Sequence, residues 1–237
     1  GVHADPGLAS AVGGVALVSI PPDAEGDPTL RGLGAALRAA PVTRIVYLST
    51  VGVYGDSAGA WVDEASPLRA VTPRARARVA AEADWRRFGR EAGVPVDILR
   101  LGGIYGPGRG AFDRLREGTA RRVVKPGQMF NRIHVDDIAA AVEAVVAAAR
   151  PGEVYNVVDG APAPPQDVIA HAASLLGLAA PPEEPFATSG LTGMARSFYD
   201  ENRRVRNERL RALGWAPIYR SYREGLAAVL AEEGGGR

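Results

Sequence analysis

Three arginines alternate with small residues at the start of a predicted helix, in the segment TPRARARVAAE (72–82). Arg74 and Arg78 are four residues apart, so both guanidinium groups are predicted on one face of that helix. Such a pair can bind a carboxylate, a phosphate or a nucleotide cofactor. It cannot shuttle a proton, because the pKa of arginine exceeds about 12 and the group stays charged. The two arginines are therefore predicted to hold a ligand.

The same segment could instead be a basic surface for nucleic acid. Arg74, Arg76 and Arg78 spread over about 200 degrees of a helix and do not form a stripe. The chain has 28 basic and 27 acidic residues, which gives a formal net charge of +1. A protein-wide basic field is therefore absent. We predict no nucleic-acid partner and interpret Arg76 as part of a solvated face.

Composition excludes several other kinds of chemistry. The 237 residues include no cysteine, which rules out disulfides, thiolate metal sites and cysteine nucleophiles. His3, His134 and His171 are far apart and show no metal-ligand spacing. No apolar run approaches the roughly 18 residues of a membrane span, and the N-terminus lacks the order of a secretory signal. We predict no metal, no membrane partner and a cytoplasmic location.

Short apolar runs alternate with amphipathic segments along the chain. This alternation predicts parallel βαβ units and hence an α/β fold with a doubly wound, Rossmann-like parallel sheet. The predicted strands are VALVSI (15–20), RIVYLS (44–49), VDILRL (96–101) and EVYNVV (153–158), and the predicted helices are 29–40, 73–91, 135–149, 166–176, 207–213 and 222–232.

A glycine-rich phosphate loop is expected between the first strand and helix of such a fold. The candidate at 106–111 is G-x-G-x-x-A, but Pro107 removes a backbone donor there. No acidic residue follows roughly 20 positions later to hold a ribose. We interpret 106–111 as a turn-rich substrate loop. The first strand, glycine loop and helix are therefore expected to be missing from this sequence.

The segment RIVYLSTVGVYGD (44–56) carries a specific resemblance. It resembles the extended short-chain dehydrogenase/reductase superfamily, of the NAD-dependent epimerase/dehydratase type. The resemblance covers almost all of residues 1–233, and the variants IPPD, TPRARAR and GGIYGPGR resemble an atypical branch of bacterial nucleoside-diphosphate-sugar epimerase-like proteins. Further motifs agree in order, namely WVDEASPL, ILRLGGIYGPGR, RIHVDDIAAAV, VYNVVDG and LRALGW.

The resemblance implies a division of the chain and a cofactor. It implies a dinucleotide-binding domain at 1–103 and 131–160, incomplete at its N-terminus, and a substrate-binding lobe at 104–130 and 161–237. The implied cofactor is NAD or NADP. The residues implied to contact it are Asp5, beside the adenine, Ser19 and Ile20, at a strand end, Ser49, Arg78, and Gly102, Gly103 and Ile104, beside the nicotinamide.

The family's catalytic tyrosine and lysine fall on Arg74 and Arg78 when the helices are aligned on Glu82. In the family the tyrosine transfers a proton, and the lysine holds the ribose hydroxyls and lowers the tyrosine pKa. Arg78 can replace the lysine as a donor, whereas Arg74 cannot replace the tyrosine. Thr50 occupies the place of the hydroxyl that binds the substrate's reacting oxygen. The implied substrate contacts are Tyr54, Tyr105, Arg109 and His134, although a loop-holding role suits His134 equally.

Two functions from different classes remain open at this point. In the first, the protein is an NAD(P)-dependent enzyme acting on a small molecule, with a nucleotide sugar as the family's default substrate. Thr50, Tyr54 or Tyr105 then supplies the proton. In the second, it is a dinucleotide-binding sensor or regulatory protein without turnover. The resemblance also implies a homodimer that pairs the arginine helix with its symmetry mate.

Overall fold

A computed structural model describes residues 14–235 of the chain. Asp5, the predicted adenine contact, lies outside the described residues, as does His3. Four parallel strands form the central sheet, in the order β1-β2-β4-β8. The strands are β1 (Gly14–Val18), β2 (Val42–Thr50), β3 (Trp61–Val62), β4 (Val96–Leu101), β5 (Gly103–Tyr105), β6 (Arg122–Val124), β7 (Arg132–His134), β8 (Val154–Val157), β9 (Glu183–Pro185) and β10 (Arg204–Val205).

Helices connect the strands of the central sheet, and the predicted α/β class with a parallel Rossmann-like sheet is confirmed. A single turn of 3-10 helix at Val51–Tyr54 follows β2, and another lies at Phe186–Thr188. The α-helices are α1 (Pro28–Ala39), α2 (Pro73–Ala92), α3 (Ala111–Arg116), α4 (Val135–Ala147), α5 (Pro165–Leu175), α6 (Gly193–Ser197), α7 (Glu208–Arg211) and α8 (Tyr222–Gly235).

The helix that carries the alternating arginines has well-defined ends. The Thr72 hydroxyl oxygen accepts a hydrogen bond from the backbone N–H of Ala75 at 3.2 Å, and Pro73 occupies the first helical position. Both features favour a helix start at this point. At the other end Gly93 has a φ of +68°, a left-handed conformation that glycine adopts without strain. Local sequence therefore determines where α2 begins and ends.

Helices cover both faces of the central sheet. On one face α1 and α2 contribute Leu37 and Trp85 to a core that includes Ile98 of β4. On the other face α4 packs Val145 against Leu99, the next residue of the same strand. Because neighbouring side chains of a strand point to opposite faces, the nearly continuous apolar run of β4 can supply both cores. The sheet is thus doubly wound.

A separate apolar core lies among α3, α5 and α8. It includes Phe112, Ile169 and Leu226, all buried. This core supports the predicted substrate-binding lobe at 104–130 and 161–237, and we retain that division as a proposal. The short strand pairs β3–β10, β5–β7 and β6–β9 were not predicted, because two or three residues are too few to show a periodic pattern.

Candidate active site

Predicted site residues from different strands meet at one edge of the central sheet. Strand β1 ends at Val18, so Ser19 and Ile20 lie beyond it and are exposed. Thr50 ends β2, and Gly102 follows the last residue of β4. Since the carboxyl ends of parallel strands share one edge, these positions line the crevice where open α/β sheets bind ligands.

Thr50 caps the 3-10 helix that follows β2. Its hydroxyl oxygen accepts a hydrogen bond from the backbone N–H of Gly52 at 3.1 Å. The hydroxyl hydrogen is then left to donate, because a threonine hydroxyl is both donor and acceptor. Thr50 is half-buried. It can therefore donate a hydrogen bond to an oxygen placed in the crevice, as its predicted role requires.

Arg78 is held against the carboxyl half of β2. Its Nη1 donates to the Tyr47 hydroxyl at 2.8 Å and to the carbonyl of Leu48 at 3.0 Å. The guanidinium carbon also lies 5.5 Å from the centre of the Tyr47 ring. Burial raises the pKa of Tyr47 to about 12, so this partner remains a neutral phenol. The guanidinium is fixed in place without losing its charge.

Arg74 lies one helical turn before Arg78 and is exposed. Its Nη1 is 3.6 Å from the sulfur of Met194, and its guanidinium carbon is 5.8 Å from the centre of the Phe198 ring. The ion pairs within α2 involve Arg86 and Arg87. Within residues 14–235, neither Arg74 nor Arg78 forms an ion pair with a carboxylate. One face of α2 thus presents two positive charges without a protein counter-ion.

Ser49, a predicted cofactor contact, is buried. Its hydroxyl donates to Oε1 of Glu82 at 2.6 Å, and that carboxylate is itself fully buried. The side chain points beneath α2 and away from the crevice edge. Adjacent residues of a strand face opposite ways, which separates Ser49 from Thr50.

Tyr54, a predicted substrate contact, is fully buried. Its hydroxyl donates to Oδ1 of Asn156 at 2.7 Å and accepts from Nη1 of Arg100 at 2.9 Å. Burial raises the pKa of the Tyr54 hydroxyl. The side chain therefore cannot contact a substrate or supply a proton at neutral pH in this arrangement.

Tyr105 belongs to the apolar core among α3, α5 and α8. Its hydroxyl is 3.5 Å from the carbonyl oxygen of Ser221, and its ring packs against the backbone of Gly225. Burial raises the pKa of its hydroxyl. In this structure Tyr105 joins β5 to α8, and its contact with a substrate stays a prediction.

The three positions expected beside the nicotinamide differ in exposure. Gly102 is buried, and a Cβ there would lie 3.1 Å from the carbonyl oxygen of Asn131. Glycine suits this position, because a side chain there would crowd the backbone of Asn131 and Arg132. Gly103 is exposed, whereas Ile104 is half-buried against the core under α4. Only the backbone of Gly103 is open to a ligand from outside.

His134 caps α4 instead of facing the crevice. Its Nδ1 accepts from the backbone N–H of Asp136 at 3.3 Å, and its ring lies between Tyr105 and Tyr219, with centroid distances of 5.2 and 4.4 Å. It is almost completely buried. The loop-holding interpretation agrees with this placement, and the predicted substrate contact does not.

Arg109 lies in a tight turn of the 106–111 loop. Gly106 and Arg109 exchange two backbone hydrogen bonds, of 3.2 and 3.1 Å, and Gly108 between them has a φ of +65°. Arg109 is exposed. The turn agrees with the interpretation of this segment as a turn-rich loop, and the role of Arg109 in substrate binding stays a prediction.

Arg203 reaches the crevice from the C-terminal part of the chain, and sequence reasoning missed it. Its Nη1 donates to the carbonyl of Gly55 at 2.6 Å and to Oε2 of Glu201 at 2.7 Å. A Cβ added to Gly52 would lie 3.9 Å from Nη2 of Arg203 and 3.4 Å from the hydroxyl oxygen of Thr50. Arg203 and Thr50 therefore flank the same space.

The residues present fit the nicotinamide-ribose end of a dinucleotide. Arg78 uses only Nη1 in the hydrogen bonds that the described part of the chain forms, so its other N–H groups can donate to ribose hydroxyls. The exposed backbone of Gly103 and the hydroxyl of Thr50 lie at the same sheet edge. The predicted adenine contact, Asp5, falls outside the described residues.

Neither a metal site nor a membrane-spanning helix occurs in the part of the chain that the structure describes. No cluster of three or more histidine, aspartate or glutamate side chains there has the arrangement to hold a metal ion. None of the helices described combines the length and the apolar character that crossing a membrane would require.

Residues 29–158 match the family model described as NAD dependent epimerase/dehydratase family. This match covers more than half of the chain. The matched residues include most of the parallel sheet described above. The protein belongs to the NAD-dependent epimerase/dehydratase family, whose members use NAD or NADP.

Two curated relatives show how far the similarity extends. Protein YeeZ of Escherichia coli K12 is 35% identical over 145 residues, which are 59% of this chain and 48% of YeeZ. The 3-diazoavenalumate denitrifying reductase of a Streptomyces species is 33% identical over 205 residues, which are 81% of this chain and 66% of the reductase. This chain thus spans about half of the first relative and under two thirds of the second.

Solved structures agree with the fold. A conserved protein of unknown function from Silicibacter pomeroyi superposes with a TM-score of 0.90 at 49% identity, covering 97% of this chain and 80% of that one. DesIV, a dTDP-glucose 4,6-dehydratase from Streptomyces venezuelae with NAD bound, gives 0.74 at 23% identity, covering 97% and 76%. Human SDR39U1 with NADPH gives 0.71 at 19% identity, covering 95% and 85%.

Proposed function

We propose that this protein is an NAD(P)-dependent oxidoreductase that acts on a small anionic molecule. Arg78 replaces the family's ribose-binding lysine, and Arg74 replaces its tyrosine as a substrate-binding group. The observation that carries the proposal is the pair of guanidinium groups on one face of α2. Arg78 is fixed beside the end of β2, and neither arginine has a carboxylate partner in the described residues.

Arg78 has the properties that the lysine position requires. Holding ribose hydroxyls needs a fixed cation with N–H donors, and it needs no proton transfer. The hydrogen bonds to Tyr47 and Leu48 orient the guanidinium before a ligand arrives, so less conformational freedom is lost on binding. When bound, the cofactor supplies or accepts a hydride.

Arg74 and Thr50 bind different parts of the substrate. Arg74 holds an anionic group through charge-assisted hydrogen bonds. Thr50 donates its free hydroxyl hydrogen to the oxygen at the reacting centre. Because Tyr54 and Tyr105 are both buried, neither tyrosine supplies the proton. The suitable reactions are reductions in which water supplies the proton that completes the product.

The names of the relatives support redox chemistry. The Streptomyces relative is named as a reductase, and DesIV is named as a dehydratase that was solved with NAD. A nucleotide sugar, the substrate type in the second name, would also supply an anionic group. A small anionic substrate therefore agrees with the names of both relatives.

The alternative function is a dinucleotide-binding sensor without turnover. The observation that favours it is the arginine at the proton-transfer position, together with the burial of both alternative tyrosines. Such a protein would bind the cofactor through Arg78 and use Arg74 to hold a second ligand. Its structure would differ little from that of the enzyme.

One experiment separates the two functions. The full chain is titrated with NADH and NADPH, and the complex is then mixed with a panel of keto acids, enones and nucleotide 4-keto sugars. We expect a protein-dependent loss of absorbance at the reduced-nicotinamide band with one member. Tight cofactor binding without any loss of absorbance would support the sensor. No binding of either cofactor would contradict both functions.

We also propose that the protein is a homodimer in which α2 pairs with its symmetry mate. The proposal rests on the resemblance to the short-chain dehydrogenase/reductase superfamily. Sedimentation velocity over a range of protein concentrations tests it, and a monomer at every concentration would contradict it.

A further inference from the structure

Two large apolar side chains are exposed beside the first turn of α2. Met194 is 64% exposed and Phe198 is 50% exposed. Both contact Arg74, whose Nη1 is 3.6 Å from the Met194 sulfur and whose guanidinium carbon is 5.8 Å from the Phe198 ring centre. A thioether, an aromatic ring and a cation thus form one small surface beside the crevice.

The chain on either side of this surface is anchored to the substrate-binding lobe. Before it, Arg121 donates a hydrogen bond to the carbonyl of Ser189. After it, Lys125 donates to the carbonyl of Tyr199, and Gln128 donates to the carbonyl of Glu201 at 2.8 Å. Anchors on both sides limit where the segment between them can lie. They hold Met194 and Phe198 over α2, although both side chains are largely exposed to solvent.

Within residues 14–235, no ion pair joins Arg74 to an acidic residue of this segment, neither Asp200 nor Glu201. Glu201 pairs with Arg203 at 2.7 Å and accepts from no other arginine in the described residues. Arg203 is anchored in turn on the carbonyl of Gly55, at the end of the 3-10 helix. The surface formed by Arg74, Met194 and Phe198 therefore keeps a net positive charge.

We infer that the substrate of the proposed oxidoreductase is a carboxylate joined to an aromatic or similarly flat apolar group. The inference rests on the proposed function. The carboxylate binds the guanidinium of Arg74, and the flat group lies on the Phe198 ring and the Met194 sulfur. Aromatic pairs and sulfur–aromatic contacts are both favourable, and the ligand would bury apolar surface that is now exposed.

A sugar unit is a poor match for the same surface. Its hydroxyl groups need hydrogen-bond partners once water is excluded, and an unpaired buried hydroxyl is costly. Phe198 supplies no such partner, and the Met194 sulfur is only a weak acceptor. A nucleotide sugar would gain the contact with Arg74 but would leave its hydroxyls facing a thioether and a phenyl ring.

The test measures binding of four probes by calorimetry, with NADH or NADPH bound. The probes are trans-cinnamate, acetate, benzyl alcohol and UDP-glucose, which separate charge from aromatic character. We expect cinnamate to bind about tenfold more tightly than acetate or benzyl alcohol, because each of these lacks one of the two contacts. UDP-glucose is expected to bind more weakly than cinnamate.

Variants locate the binding to this surface. We expect Arg74→Met and Phe198→Ala each to weaken cinnamate binding by about tenfold. Arg76→Met and Leu178→Ala are the matched controls, since both residues are exposed and lie outside the surface. Unchanged affinity in Arg74→Met and Phe198→Ala would overturn the inference, as would tighter binding of UDP-glucose than of cinnamate.

The outcomes also distinguish this inference from the proposed function. If NADH or NADPH binds and cinnamate does not, the substrate class is wrong and the oxidoreductase proposal stands. If neither cofactor binds but cinnamate binds through Arg74 and Phe198, the surface is a ligand site and the proposed function is wrong.

Discussion

Arg100 and Glu82 form a buried ion pair with two parallel hydrogen bonds. Nε of Arg100 donates to Oε1 of Glu82 at 3.1 Å, and Nη2 donates to Oε2 at 2.8 Å. The side chains are 3% and 0% exposed. The pair ties β4 to α2, the helix that carries Arg74 and Arg78. It therefore fixes the ligand-binding arginines relative to the sheet edge.

Removing one partner of this pair should destabilise the fold strongly. Glu82→Gln leaves the Arg100 charge buried without its counter-ion, and we expect a loss of about 3 kcal/mol in the free energy of unfolding. Urea denaturation measures the loss. The control is Asp23→Asn in the pair with Arg31, whose side chains are 48% and 40% exposed. There we expect a much smaller loss, because solvent screens an exposed ion pair, and equal losses in both variants would contradict the assignment.

Tyr54 should matter for stability and not for ligand binding. Tyr54→Phe deprives Oδ1 of Asn156 of its donor and Nη1 of Arg100 of an acceptor. We expect a loss of about 1–3 kcal/mol in unfolding free energy and unchanged affinity for NADH and NADPH. Tyr219→Phe serves as the control, since no hydrogen bond of that hydroxyl occurs within the described range. A stable Tyr54→Phe protein that fails to bind cofactor would restore Tyr54 to the site.

Asp159 should make stability depend on pH. Burial raises the pKa of this carboxyl to about 7 in the folded protein, whereas an unfolded aspartate has a pKa of about 4. Between these values the folded state binds more protons, so stability falls as pH rises through this window. The expected loss is on the order of 1 kcal/mol per pH unit.

Asp159→Asn should remove that dependence. The amide keeps an oxygen that can accept from the N–H of Ala161, as Oδ1 of Asp159 does at 2.9 Å. Thermal melts across the window should show a flatter profile for the variant, and the variant should be more stable than the natural protein above the native pKa. Parallel profiles for the two proteins would show that Asp159 is not the titrating group.

Periodicity in the sequence was sufficient to predict the main elements. The predicted strand at 96–101 coincides with β4, and the predicted helix at 73–91 differs from α2 by one residue. The predicted strand at 15–20 was too long, because β1 ends at Val18 before the two prolines. Strand and helix patterns are local, so they can be recognised without knowledge of the tertiary structure.

The direction in which each site side chain points could not be predicted from sequence periodicity. Ser49 and Tyr54 belong to a motif that resembles a catalytic segment, yet both point into a buried network. One signal for that network is visible in the strand VDILRL, where Asp97 and Arg100 interrupt a buried apolar run. Charges in such a strand require buried partners, and the structure supplies Arg44 for Asp97 and Glu82 for Arg100.

Arg203 shows a second limit of prediction from sequence, which concerns contacts between distant parts of the chain. It lies in a run of arginines that resembles an ordinary charged surface, and its contacts with Gly55 and the space beside Gly52 come from a distant part of the chain. Only the tertiary fold brings these groups together. No pattern of spacing around Arg203 indicates such a contact.

Binding of NADH and NADPH to Arg78 variants tests the central claim most directly. Nicotinamide fluorescence is titrated on the natural protein, Arg78→Lys, Arg78→Met and the exposed control Arg76→Met. We expect Arg78→Lys and Arg76→Met to bind nearly as the natural protein does. Arg78→Met should bind at least about tenfold more weakly, because a charge-assisted hydrogen bond is lost. Equal affinity of Arg78→Met and the natural protein would contradict the assignment of Arg78 to the cofactor.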